Sequence, residues 1–167
     1  KAENIVLDPV MISTSGKSLI DKQAMGELKR ILTIATIITP NLSEAEALSG
    51  LIIRDEQGME KAASLLGEEL GVRVLVKGGH LKEDAVDILY DNGTIYRFPS
   101  KRINNPNNHG TGCTLSSAIA CYLAMGYNIH DSVYFGKRYI TGALGVFMNL
   151  GKGSGPLNHL YLMDKKS

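Results

Sequence analysis

Three things are scarce in this sequence: cysteine, surplus charge and long apolar runs. The two cysteines are Cys113 and Cys121. On a shared helix they would lie about 12 Å apart along its axis, beyond the ~7 Å between Cα atoms that a disulfide tolerates. Free thiols are therefore expected, and they suit a reducing, cytoplasmic compartment. Lys plus Arg is 18 against 17 for Asp plus Glu, so nucleic acid and anionic membranes find no electrostatic footprint here. The most apolar stretch, residues 31–38, holds two threonines and stops at Thr39-Pro40. That is far too short to span a bilayer. No low-complexity segment, fixed-period repeat or signal-peptide pattern is visible.

What remains is ordinary for a globular protein. Apolar residues make up 44% of the 167 and charged residues 21%, enough for a single domain over residues 1–167 with a real core. The chain opens without Met, at Lys1-Ala2-Glu3, and enters an apolar run almost at once. That start is expected of a fragment whose N-terminal part is missing.

Strand and helix signals alternate along the chain. Asn4–Val10 is a short apolar run ended near Pro9, hence a buried strand. Lys17–Thr33 has helical apolar spacing. Ala35–Thr39 is a second strand, stopped by Pro40. Ser43 with Glu46 reads as a capping box on a helix over 43–48, closed by Gly50. Glu56–Leu70 is an amphipathic helix with Gly71 as its stop. Val72–Lys77 is a third buried strand, ended by Gly78-Gly79. Ala85–Tyr90 and Thr94–Ile103 flank Asp91-Asn92-Gly93, a hairpin signal. Helices over 112–125 and 132–150 follow, then a loop with Gly151, Gly153, Gly155 and Pro156. The pattern predicts an α/β fold with a mostly parallel sheet, helices on both faces and an antiparallel edge.

Ligands of such sheets bind beyond the carboxyl ends of the strands. Those ends carry Asp8, then Asn41 and Glu44, then Lys77, Gly78, Gly79 and His80. The turn Gly110-Thr111-Gly112-Cys113 opens a helix, where small residues let an anion approach the amides. Carboxylates for a hydrated Mg²⁺, a lysine and an amide nest suit phosphoryl transfer. Taken singly, each residue also has an ordinary role. Asp8 reads as a turn residue, Glu44 as a dipole-stabilised acid in a first helical turn, Lys77 as solvated and Gly78-Gly79 as a plain turn. Cys121 reads as core, among Ala118, Ile119 and Leu123. His109 reads as a support of the turn and His130 as part of a cap.

The stretches VLDPVM (6–11), TPNLSEAEALSG (39–50), VLVKGGH (74–80), HGTGCTLSSAIACYLAMG (109–126) and GSGPLNH (153–159) occur in the order of a known family. The chain resembles the ribokinase-like superfamily, and within it the hydroxymethylpyrimidine (phosphate) kinases of thiamine biosynthesis. The resemblance implies a ribokinase-like three-layer sandwich and ATP-dependent phosphorylation of a hydroxymethyl aminopyrimidine and its monophosphate. It implies an anion hole at Gly110, Thr111 and Gly112, and a catalytic base at Cys113. Asn41 and Glu44 would form the N-x-x-E motif tied to Mg²⁺ and phosphate, Asp8 an acid near the metal, and Lys77 a contact to the ATP phosphates. Asn108 stands where the family usually has Thr. The family also carries an N-terminal segment of roughly a hundred residues, with a glycine-rich turn and much of the pyrimidine pocket. Relatives are often homodimers. Pyridoxal kinase is the near alternative, since both substrates join a heteroaromatic ring to a hydroxymethyl arm. A non-catalytic nucleotide-binding module is the distant alternative, and the intact set Asp8, Glu44, Lys77 and Cys113 speaks against it.

Overall fold

The structure, a computed structural model, describes residues 3–11, 21–79, 85–100, 103, 105, 110–148 and 155–163. The chain divides into two compact units, Lys1–Ser100 and Lys101–Ser167.

The first unit is built on five strands in the order β1-β2-β3-β4-β5. β1 (Val6–Leu7), β2 (Ile37–Ile38) and β3 (Arg73–Val76) are parallel neighbours. β4 (Ala85–Asp91) and β5 (Thr94–Ser100) follow as an antiparallel hairpin at the edge. Its turn places Asn92 at φ 48° and Gly93 at φ 88°, the left-handed pair that a two-residue hairpin demands. The first two strands are shorter than the apolar runs that encode them. Pro9 and Pro40 lack the N–H that a ladder needs.

Helix α1 (Lys22–Leu32) starts at Asp21, whose carboxylate accepts the Ala24 N–H; the earlier residues of its expected span lie outside the described ones. α2 spans Leu42–Ser49 and α3 spans Glu56–Leu70. α2 corrects one expectation. Its cap is Asn41, not Ser43. Asn41 Oδ1 accepts the Glu44 N–H at 2.9 Å and Glu44 Oε2 accepts the Asn41 N–H at 2.8 Å. Both registers satisfy the capping pattern, but Pro40 holds the chain extended up to Asn41, and Glu46 is used elsewhere, accepting the Ile53 N–H at 2.8 Å.

The core lies between the helices and one face of the sheet, where Ile38, Val74, Val76 and Ile88 meet Met59, Ala62 and Leu66. Ile37, Leu75 and Leu89 alternate with these strand residues and are also fully buried. Both faces are therefore apolar, as expected of a sheet covered on two sides.

In the second unit, α4 (Thr111–Ala124) and α5 (Ile129–Gly145) pack together. Asn128 caps α5 by accepting the Asp131 N–H, so His130 does fall in the first turn. The helices approach closely at Gly136, where an added Cβ would lie 3.0 Å from Ile119. Residues 155–163 fold back on α5, with Leu157 and Tyr161 buried and the Tyr161 ring against Tyr139. Among the described residues, no helix is long and apolar enough to cross a membrane.

Candidate active site

The parallel strands bring their carboxyl ends to one edge of the first unit. The Thr39 N–H donates to Leu7 O and the Lys77 N–H to Pro40 O, extending the ladder past each strand. Asn41 and Lys77 form an isolated parallel bridge there. Asp8, Thr39, Asn41, Glu44 and Lys77 thus gather at one place, four of them as the sequence implies.

The charges interlock. Lys77 Nζ donates to Asp8 Oδ1 at 2.7 Å, and both side chains are largely buried. Thr39, fully buried, donates its hydroxyl to the same Oδ1 at 3.1 Å. Both of these donors use one carboxylate oxygen, Oδ1. Lys77 is therefore a paired ion, not a solvated strand end, and Asp8 is more than a turn residue. Glu44 is 2% exposed. Burial pushes its carboxyl above the ordinary value of 4.5, and the negative charge of Asp8 adds to this; the Asn41 and Met11 amides and the Lys77 charge oppose it. Glu44, whose ionisation burial and the Asp8 charge disfavour, stands with Asp8 beside the Lys77 ammonium at a place a cation would relieve. Two carboxylates also match the donor set of a hydrated Mg²⁺, which takes its other oxygens from water and phosphate. No cluster of three or more His, Cys, Asp or Glu occurs among the described residues.

Gly78 is more than a plain turn. A Cβ there would lie 1.9 Å from Val86 O, and its N–H donates to Asp87 Oδ1 at 2.8 Å. Thr39 and Asp87 are the residues that sequence reasoning missed. Thr39 stood in a quoted motif with no role attached. Asp87 was legible as an acid inside the apolar run AVDILY, which a buried strand does not carry without a reason. His80, Asn108 and His109 lie outside the described residues.

In the second unit, Gly110 caps α4 at φ 83°, a left-handed conformation that favours glycine. Gly110 brings no capping side chain, and a helix start leaves amides that the helix does not pair. Thr111, Gly112 and Cys113 form the first turn. The Ser117 hydroxyl donates to Cys113 O at 2.7 Å, and the Ser116 hydroxyl to Cys113 O at 3.1 Å and Gly112 O at 3.2 Å. Cys113 is a free, exposed thiol. Cys121 corrects the expectation of a core residue, since it too is exposed. Leu115, Ile119 and Leu123 define the buried stripe of α4, and Cys121, two residues from both Ile119 and Leu123, falls about 160–200° away at 100° per residue.

Comparison with known proteins adds to this geometry. The phosphomethylpyrimidine kinase family model matches residues 1–158. The chain is 49% identical over 159 residues to a bifunctional thiamine biosynthesis protein of Geobacter sulfurreducens, covering 93% of this chain and 32% of that protein. It is 38% identical over 161 residues to the hydroxymethylpyrimidine/phosphomethylpyrimidine kinase of Haemophilus influenzae, covering 93% of this chain and 60% of that one. It thus spans less than two thirds of both relatives. Among solved structures, an ADP complex of Bacillus subtilis pyridoxal kinase superposes with a TM-score of 0.85 at 35% identity, over 96% of this chain and 60% of that one. Phosphomethylpyrimidine kinase of Clostridium difficile superposes with a TM-score of 0.70 at 42% identity, over 83% of this chain and 56% of that one. The fold is therefore the ribokinase-like α/β fold.

Proposed function

Because this chain belongs to the phosphomethylpyrimidine kinase family, we propose that it serves ATP-dependent phosphoryl transfer to the hydroxymethyl group of an aminopyrimidine, and then to the monophosphate. The observation that carries this reading is the buried cluster of Asp8, Lys77, Glu44 and Thr39 at the strand ends. An ordinary surface gains little from ion pairs, so a paired lysine and two acids at a ligand-binding edge call for a charged ligand.

Each residue then has a task. Asp8 and Glu44 would hold Mg²⁺, which would neutralise charge on the phosphates. Lys77 contacts the phosphates of ATP and exchanges its Asp8 contact for them. Asn41 fixes Glu44 through the capping box, and the family resemblance ties it to the phosphates. Gly110, Thr111 and Gly112 supply small residues and helix-start amides for the transferred phosphoryl group. Cys113, exposed at that start, acts as its thiolate: it accepts the hydrogen bond of the substrate hydroxyl and takes its proton, becoming the thiol. A loose transition state asks for little deprotonation before the phosphoryl group moves. That residues 1–167 act as one ribokinase-like domain is part of this proposal.

ATP as co-substrate is supported by structural neighbours described as complexes with ADP or AMP-PCP. A pyridoxal kinase is the second reading, favoured by the high TM-scores to proteins of that name. The free thiols support a cytoplasmic location, and a homodimer rests on the family resemblance. The test is transfer of γ-labelled phosphoryl from ATP, offered hydroxymethylpyrimidine, its monophosphate and pyridoxal in competition. Label on the pyrimidines supports the proposal; label on pyridoxal alone replaces it with the second reading.

A further inference from the structure

Asp87 is a buried acid in the middle of an apolar strand, 7% exposed, and the mechanism above does not use it. Burying a carboxylate is costly unless its bonds repay the loss of water. One bond it makes is to the main chain beside Lys77. The β3–β4 ladder ends at Val76 and Ile88. Beyond it, the next two amides of the chain bond to other groups. The Lys77 N–H turns to the β2 side and donates to Pro40 O at 2.9 Å. The Gly78 N–H turns to the β4 side and donates to Asp87 Oδ1 at 2.8 Å. Gly78 also lies too close to Val86 O to carry a side chain. Lys77 therefore sits between two successive amides pulled toward opposite strands. Those two bonds hold the Lys77 backbone, from which the side chain reaches Asp8 at 2.7 Å.

We infer that Asp87 is a positioning residue: its carboxylate clamps the Gly78 amide and so aims Lys77 at the phosphates of a bound nucleotide. This rests on the reading of Lys77 as a phosphate contact given above. Loss of the clamp weakens binding of a ligand with phosphates and spares one without them.

The experiment titrates the protein with ATP and with adenosine, by calorimetry, for wild type, Lys77→Met, Asp87→Ala, Asp87→Asn and the double variant Lys77→Met/Asp87→Ala. Thermal melts are recorded alongside. Lys77→Met is expected to weaken ATP about tenfold, the scale of a lost charged hydrogen bond, and to leave adenosine unchanged. Asp87→Ala is expected to weaken ATP by a similar factor and to spare adenosine. The double variant is expected to bind ATP no more weakly than Lys77→Met alone, because the clamp has nothing left to aim. Asp87→Asn, which keeps an acceptor oxygen, recovers most of the affinity. The inference is overturned if Asp87→Ala binds ATP as wild type does, weakens ATP and adenosine equally, or adds its full effect to Lys77→Met. An unchanged ATP affinity in Lys77→Met instead overturns the phosphate-contact reading itself. Should Asp87→Ala not fold, Asp87→Ser takes its place, and the same outcomes decide.

Discussion

Gly78 and Gly79 are neighbours with opposite surroundings, and replacing each by alanine separates a packing claim from a turn claim. A Cβ on Gly78 would lie 1.9 Å from Val86 O and 2.9 Å from Met59 Cε, whereas one on Gly79 would meet nothing within 4 Å. Ordinary contact begins near 3.4 Å, so the Gly78→Ala backbone must retreat by about 1.5 Å from β4. That movement takes the 2.8 Å bond to Asp87 beyond hydrogen-bond range. Overpacking costs about 1–3 kcal/mol, and a lost bond to a buried carboxylate about 1.5–3 kcal/mol. Together they give roughly 3–5 kcal/mol. For a chain of this size the melting temperature falls about 2–4 °C per kcal/mol, so Gly78→Ala should melt roughly 6–20 °C below wild type. Gly79→Ala should stay within a few degrees, aided by the reduced freedom of its unfolded chain. Melting curves followed by far-ultraviolet circular dichroism decide the matter. Equal melting temperatures for the two variants would refute the claim that Gly78 is set by close approach to β4.

Two further outcomes follow from the same cluster. Glu44 titrates higher in the folded protein than its ordinary 4.5, chiefly through burial. The folded state therefore holds the proton over a window that begins near 4.5 and ends at the raised value. Stability falls as pH rises through that window and stays lower above it. Glu44→Gln keeps an acceptor for the Asn41 N–H and removes the charge. Its denaturation midpoint should lose this pH-dependent component and exceed that of wild type at neutral pH, while Mg²⁺-dependent ATP binding weakens; a pH profile parallel to wild type would contradict the assignment. Asn41→Ala removes the acceptor of the Glu44 N–H and should cost about 1 kcal/mol in urea denaturation, whereas Ser43→Ala should cost much less, reversing the order that a Ser43 cap requires.

Much of this was legible before the fold was known. Periodicity and glycine stops gave α3 its bounds, and Asn92-Gly93 gave the hairpin, because these signals are local. The site acids and Lys77 were legible because parallel strands send all their carboxyl ends to one edge. The capping register of α2 was not, because Asn41 and Ser43 each precede a glutamate by three residues. Pro40 before Asn41 and the bond from the Ile53 N–H to Glu46 separate them. Thr39 and Asp87 were missed for a related reason: their bonds span 31 and 9 residues, and no local pattern announces a hydrogen bond between strands. Cys121 was misjudged from the apolar neighbours around it, although its helical phase against Ile119 and Leu123 already pointed away from the buried stripe.

In the proposed reaction, the Cys113 thiolate at the start of α4 takes the proton of the substrate hydroxyl during phosphoryl transfer from ATP. The most direct measurement compares wild type with Cys113→Ala for turnover of hydroxymethylpyrimidine and, separately, for ATP affinity. Cys113→Ala is expected to lose about a hundredfold or more in turnover, the scale of general base catalysis, with ATP affinity nearly unchanged. Turnover equal to wild type in Cys113→Ala would contradict it.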